Sequence, residues 1–249
     1  MSESIKTIDN AFDIIDLLDA QDQIGVGEIA SQLNLAKTTV HRILKTLHNR
    51  GIVIQDEQER YTLGYGMYKY AQGINRHQLI VNIARKPMAK FAEKTGETLN
   101  LGILVGDEVV IIHSEEGEFY SLQPTLSASS DLNCSGMGKI FLSSFSEENL
   151  VTYFDQDFKH RTINTITSLD QFKKEKDLIL TQGIAHDDEE YEYGLSCIAT
   201  SITDKNKKTI AALSVSGPTS RLQYKNVEAL TQELLKTADE INKIMIDSF

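Results

Sequence analysis

The sequence predicts an α+β protein in two parts: a small, mainly helical N-terminal unit and a larger unit with an antiparallel sheet flanked by helices. Three observations carry that prediction. Apolar residues recur at helical spacing through the first fifty positions. Later runs rich in Val, Ile and Leu come in pairs joined by short polar turns, as hairpins do. The charge is also divided: residues 1–76 hold 8 Lys/Arg against 10 Asp/Glu, and residues 77–249 hold 17 against 26, so most of the net −11 sits in the second part.

At 249 residues the chain is long enough for two ordinary domains, and 41% hydrophobic with 24% charged residues is a globular composition. The acidic balance argues against a surface made for general polyanion binding, so any nucleic-acid contact must be local. The opening "MSESIKTIDNAF" has no basic stretch followed by an apolar run, and no apolar segment approaches the ~18–20 residues of a membrane span. Two cysteines, Cys134 and Cys197, are too few for a disulfide scaffold. The expected location is therefore cytoplasmic, with reduced thiols and no membrane partner.

Taken in order, Ile8, Ala11, Phe12, Ile15 and Leu18 predict one inward face of a first helix. "VGEIASQL" predicts a short second helix with Ile29, Ala30 and Leu33 inward, and "NLA" a tight turn. "AKTTVHRILKTLHNRG" then buries Val40, Ile43, Leu44 and Leu47, while Thr38, His41, Arg42, Lys45 and Asn49 point away. The stretch carries Lys37, Arg42, Lys45 and Arg50 and no carboxylate. "IVIQDEQERYTLG" reads as two short strands around a polar turn at Asp56–Glu59. Helix, short helix, turn, helix and hairpin make a winged helix-turn-helix, whose second paired helix enters the DNA major groove. Cations there gain from counterion release, and Arg can grip guanine bidentately. The candidate DNA contacts are Lys37, Thr38, Thr39, His41, Arg42 and Lys45, with Arg60 as the one cation of a wing whose tip is acidic.

The expected division is a DNA-binding domain at 1–64, a linker helix at 65–80 and a C-terminal domain at 81–249. Pro87 is expected to kink the connecting helix or restart it. "TLNLGILV" and "VVIIHSEE" predict one hairpin, and "GLSCIATSITD" with "TIAALSVSGP" a second. "SGMGKIFLSSF" and "SEENLVTYF" read as helices between them. "SLDQFKKEKDLILTQG" is a helix with a capping box from Ser168 to Gln171 and a stop at Gly183. A closing helix from Tyr224 to about Asp247 turns Val227, Leu230, Leu234, Leu235, Ala238, Ile241 and Met245 inward.

Three stretches resemble the IclR family of bacterial transcriptional regulators: "IASQLNLAKTTVHRILKTLHNRGIV" with "RYTLG", "LNCSGMGKIFLS", and "GIAHDDEEYEYGLSCIATSITD" with "AALSVSGPTSRL". The last is the most specific, through the spacing of Gly183, Asp187, Glu190, Cys197 and Asp204. The resemblance implies a winged helix, a linker helix and a C-terminal domain similar to GAF domains that binds a small organic-acid effector. It implies dimers formed through the N-terminal region and often paired into tetramers, and operator DNA as the partner. It implies no enzyme activity, no cofactor and no metal. Its effector pocket, carried over, falls on Gly136, Met137, Asp187, Cys197, Ser214 and Ser216. Chemistry supports that set. Ser214 and Ser216 lie two apart in a strand, so both hydroxyls share a face, and Gly136 opens a helix whose free N–H groups favour an anion. The chain departs from the family at Asp131, Leu132 and Asn133, where Pro-Leu-His is common, and at Met137 and Ile140, where small residues are usual.

Other readings of the same residues are an enzyme with Cys197 as nucleophile, His186 as base and Asp188 as orienter, or a zinc site from His113, His160, His186 and the cysteines. The first needs neighbouring residues to share one aligned hydrogen bond. The second lacks a CxxC or HxxxH core. A redox pair of Cys134 and Cys197 is a further alternative.

Overall fold

The computed structural model describes residues 5–21, 23–71, 75–118 and 129–247. The chain forms two compact units, Met1–Asn75 and Arg76–Phe249. The first contains α1 (Lys6–Ala20), β1 (Ile24–Gly25), α2 (Val26–Gln32), α3 (Lys37–Asn49), β2 (Val53–Gln55), β3 (Arg60–Leu63) and α4 (Met67–Ala71). Its core is Ile14, Leu18, Ile29, Val40, Leu44, Leu47, Val53 and their neighbours, so the expected inward faces of α2 and α3 are the buried ones. The three strands form a small sheet in the order β1-β3-β2.

The α1 face departs from the sequence expectation. Ile14 and Leu18 are buried and Ala11, Ile15 and Leu17 pack beside them, but Ile8 and Phe12 are 51% and 58% exposed. The helix is apolar over two adjacent lines, and periodicity alone does not say which meets the core. The 11–14–18 line packs inward, while Ile5, Ile8 and Phe12 lie on the other.

The hairpin turn after β2 is built by its aspartate. Asp56 Oδ1 accepts from the Gln58 and Arg60 N–H groups at 2.9 and 2.8 Å, and Glu59 adopts φ +61°. The β8–β9 hairpin of the second unit repeats the design. There Asp204 Oδ1 accepts from Asn206 and Lys208 N–H at 2.9 Å each, with Lys207 at φ +62°. Asp and a left-handed residue three positions on make this turn in both places.

The second unit contains α5 (Asn75–Thr95), β4 (Thr98–Val105), β5 (Glu108–Glu115), β6 (Ser129–Asp131), a 3-10 turn (Leu132–Cys134), α6 (Gly136–Ser143), α7 (Glu147–Phe154), α8 (Leu169–Gln182), β7 (Ile184–Asp188), β8 (Leu195–Thr203), β9 (Thr209–Pro218), α9 (Thr219–Tyr224) and α10 (Val227–Asp247). Helix α5 continues through Pro87 without a new start. The capping box of α8 forms, with Gln171 N–H on Ser168 Oγ and Ser168 N–H on Gln171 Oε1, and Gly183 ends it at φ +70°.

The six strands run β6-β5-β4-β9-β8-β7, every neighbouring pair antiparallel. Leu99, Leu101, Ile198, Leu213 and Val215 share one core with Met88 and Phe91 of α5 and with Leu230, Leu234 and Ile241 of α10. Val109, Ala185, Ala199 and Ala212 share the other with α6, α7 and α8. Small residues on that second face let α6 lie close. A Cβ on Gly136 would stand 3.1 Å from Ala199 Cβ, and one on Gly138 only 2.4 Å from the Leu132 backbone. Gly138 is thus a packing requirement, as a close helix–turn contact demands.

Candidate functional site

Strand alternation builds the site in the second unit. Asp187 pairs with Cys197, Cys197 with Ser216 and Ser216 with Thr98, so the four side chains form one row across the sheet. The next row on the same face is Ala185, Ala199, Ser214, Asn100 and Ser114. The start of α6 closes over these rows. The result is a small cavity lined by Asn100, Ile111, Ser129, Ser130, Ser135, Gly136, Met137, Asp187, Tyr191, Leu195, Cys197, Ser214 and Ser216. All six residues expected from the sequence line it.

Ser135 caps α6, its Oγ accepting from Gly138 N–H at 3.1 Å and donating to Asp131 O at 2.9 Å. Asn100 Nδ2 donates to Ser216 Oγ at 3.5 Å, and Ser114 Oγ donates to Asn100 Oδ1 at 2.8 Å. Asp187 is 1% exposed; its Oδ1 accepts from Glu190 N–H at 2.8 Å and Tyr191 N–H at 3.4 Å. Burial pushes the Asp187 carboxyl up to about 6, against the pull of those N–H groups and the Lys139 charge. Thr162 and Thr165 hydroxyls bond the carbonyls of Glu189 and Glu190 at 2.6 and 2.8 Å, which fixes the loop behind Asp187.

Beneath the cavity lies a buried ion cluster. Lys139 of α6, 1% exposed, bridges Glu190 at 2.5 Å and Glu175 of α8 at 2.7 Å. Burial pulls the Lys139 pKa down, but the Glu190 and Glu175 charges outweigh it and hold the ammonium charged. Burial pushes Glu190 up to about 7 despite Lys139, and its Oε2 has no hydrogen-bond partner.

The thiol chemistry of an enzyme is not built here. His186 pairs with Ile198 and Asp187 with Cys197, so the imidazole and the thiol leave opposite faces of the sheet. Burial pushes the Cys197 thiol well above its ordinary value, and burial with Asp131 pushes Cys134 up to about 12; neither is a thiolate. Among the described residues no cluster of three His, Cys, Asp or Glu side chains could hold a metal.

In the first unit, Lys37, Thr38, His41, Arg42 and Lys45 are exposed on α3, and Thr39 is half-buried. No side chain caps the N-terminus of α3, so its backbone donors suit phosphate. Arg60 is engaged by neighbours outside α3. Its guanidinium is 3.1 Å from Glu28 and also donates to the Gln23 carbonyl, which ties β3 to the start of α2.

The sequence reading missed Asn100, Ser114, Tyr191 and the serines 129, 130 and 135. A signal for Asn100 was present: one amide inside the apolar strand "TLNLGILV". Ser114 and the serines 129 and 130 depend on the strand order β6-β5-β4, Ser135 on its cap of α6, and Tyr191 on the loop after β7, all of which join distant segments.

Residues 7–57 match the IclR helix-turn-helix domain, and residues 72–243 the bacterial transcriptional regulator IclR C-terminal domain. The chain is 32% identical over 245 residues to the HTH-type transcriptional regulator BhcR of Paracoccus denitrificans, covering 97% of this chain and 88% of that one. It is 30% identical to KdgR of Dickeya chrysanthemi, covering 98% and 81%. The crystal structure of Thermotoga maritima IclR superposes with a TM-score of 0.72 at 29% identity, covering 97% and 99%. An IclR homologue from Microbacterium hydrocarbonoxydans, solved in complex with 4-hydroxybenzoate, shares the fold at a TM-score of 0.80 and 17% identity, covering 95% and 98%.

Proposed function

This chain belongs to the IclR family of bacterial transcriptional regulators, and we propose that its C-terminal cavity binds a small organic acid that changes the affinity of α3 for operator DNA. DNA binding through the helix-turn-helix and a C-terminal effector-binding domain are family properties, and the family is not enzymatic. One observation carries the acid reading. Gly136, Met137, Asp187, Cys197, Ser214 and Ser216, far apart in sequence, line a single cavity at the N-terminus of α6. Hydroxyls, an amide and the positive end of a helix make it a site for a carboxylate. The Microbacterium homologue's 4-hydroxybenzoate is an acid of that class.

In this reading residues 1–64 read DNA, 65–80 connect, and 81–249 bind the effector and oligomerise, in the cytoplasm. Lys37, Thr38, His41, Arg42 and Lys45 meet bases and phosphates, Thr39 lies at the edge of that face, and Arg60 contacts the backbone at most. A homodimer, or a tetramer made of two, sets two α3 helices into successive major grooves about 34 Å apart. The exposed line of Ile5, Ile8 and Phe12 on α1 supports pairing through the N-terminal unit. The acid shifts DNA affinity by as much as its own affinity differs between two arrangements of the oligomer. The test is a mobility shift with the DNA upstream of the protein's own gene, repeated against a panel of small carboxylates. Retardation that one acid abolishes or strengthens supports the reading; retardation indifferent to every acid overturns the effector part.

A further inference from the structure

The cavity presents a puzzle for an anion. Among the described residues its lining contains no Lys, Arg or His, and its one acidic side chain is Asp187. The stretch 119–128, outside the described residues, has no lysine or arginine in its sequence. The nearby cations are engaged elsewhere. Lys139 of α6 bridges Glu190 and Glu175, and Arg161 holds Asp131 through Nε and Nη2 at 3.1 and 2.9 Å while lying 4.4 Å over the Tyr191 ring. Strands β4 and β9 contribute only neutral groups, Asn100, Ser214 and Ser216, and β8 contributes the neutral thiol Cys197. An acid entering as a carboxylate would meet a second carboxylate with no cation between them, and two such groups in contact cannot both stay ionised.

We propose that the cavity takes its acid as a monoanion together with one proton from solvent, carried by Asp187 and donated back in a carboxyl–carboxylate hydrogen bond, so that dianionic acids are excluded. This rests on the acid reading above. The balance is simple: the Asp187 carboxylate, a solvated proton and the ligand carboxylate become one neutral carboxyl bonded to one carboxylate. Geometry assigns the proton to Oδ2. Oδ1 is already the acceptor of the Glu190 and Tyr191 N–H groups and would lose them by turning donor, whereas the Cys197 thiol, the other hydrogen-bond donor to this carboxyl, is a weak one and easily given up. The fold prepares the step, because burial raises the Asp187 carboxyl to about 6 even against the groups that lower it. The Glu190 and Tyr191 N–H groups, the Lys139 charge and the Cys197 thiol all oppose the proton on Asp187, and burial outweighs them. A second charge on the ligand would face the same cation-free wall.

The test is calorimetric titration of the full-length protein with pyruvate and 4-hydroxybenzoate as monoanions, and oxalate and phthalate as dianions. The monoanions are run from pH 5.5 to 8 and the dianions from pH 7 to 8, where both their carboxyls are ionised, in buffers of different ionisation enthalpy. A bound monoanion should take up about one proton at pH 8 and about half a proton near pH 6, with affinity falling roughly tenfold per unit between pH 7 and 8. Neither dianion should bind comparably. D187N keeps the Oδ1 acceptor and offers an amide donor in place of the carboxyl, so it should bind without proton uptake and with affinity flat in pH. Tight monoanion binding with no proton uptake at pH 8 overturns the proposal and leaves the acid reading standing. Equal affinity for dianions overturns it as well. If no acid binds the folded protein at any pH, the proposal and the acid reading fall together. The wild-type proton count stands even if D187N does not fold.

Discussion

Replacing Lys139 by Met should destabilise the C-terminal unit measurably more at pH 8 than at pH 5.5. Lys139 has two partners of different kinds. Glu175 is 38% exposed on α8 and can turn into solvent, so its share is that of a surface pair, ~0–1 kcal/mol. Glu190 is buried, its side chain 6% exposed, and Oε2 already lacks a partner. Removing the cation leaves a buried carboxylate uncompensated; the variant escapes by keeping Glu190 protonated, which at pH 8, about one unit above its wild-type pKa of about 7, costs ~1.4 kcal/mol. The pH dependence follows from the sign of the Glu190 shift. Its folded pKa, raised to about 7, lies above the unfolded value, so the folded state binds the extra proton and stability falls as pH rises from about 4.5 through 7. At pH 5.5 Glu190 is largely neutral in the wild-type protein, and deleting its partner removes little. At pH 8 the variant must bury a bare charge or protonate Glu190 against solvent. Urea or thermal unfolding at both pH values measures the difference. For a unit of this size the pH-dependent loss corresponds to a fall of roughly 3–6 °C in Tm. The double variant K139M/E190Q, neutral on both sides, should recover most of it. Equal losses at pH 5.5 and 8, or under ~1 kcal/mol at pH 8, would refute the reasoning.

Other outcomes follow from the same geometry. Arg42→Ala should weaken operator binding by ~1–3 kcal/mol and blur sequence preference, whereas Lys45→Ala should weaken all sequences alike and lower the salt slope by about one unit; anisotropy titrations at several salt concentrations separate the two. Met137→Ala should admit larger acids at a stability loss of ~2 kcal/mol, because Met137 forms the cavity wall against Gly102; a thermal-shift panel that finds no new ligand counts against this. Gly138→Ala drives a Cβ into the Leu132 backbone and should lose ~3 kcal/mol or more, seen as a lowered Tm even with acid present.

Much of the fold was legible because local signals were strong. The α8 capping box and its terminal Gly183, the buried stripe of α3 and the inward residues of α10 can each be read from a single window. What failed or stayed hidden was non-local. The face of α1 depends on where β3 and α3 lie, and Ile8 and Phe12 turned outward although their spacing is as regular as that of Ile14 and Leu18. "HDDEEYE" carries every mark of a solvated acidic loop, yet β-pairing with Cys197 takes Asp187 inside. The ion cluster joins residues 139, 175 and 190, and no short window of sequence contains it. Arg60 looked free in a wing otherwise acidic, but Glu28, thirty-two residues earlier, holds it.

The central claim is that acid in the C-terminal cavity and DNA on α3 act on one equilibrium. Its most direct measurement is a pair of titrations on the full-length protein: operator Kd with and without saturating acid, and acid Kd with and without saturating operator. The account predicts the same factor in both, on the order of 5–150-fold. An acid that fills the cavity while leaving the operator Kd unchanged would contradict it.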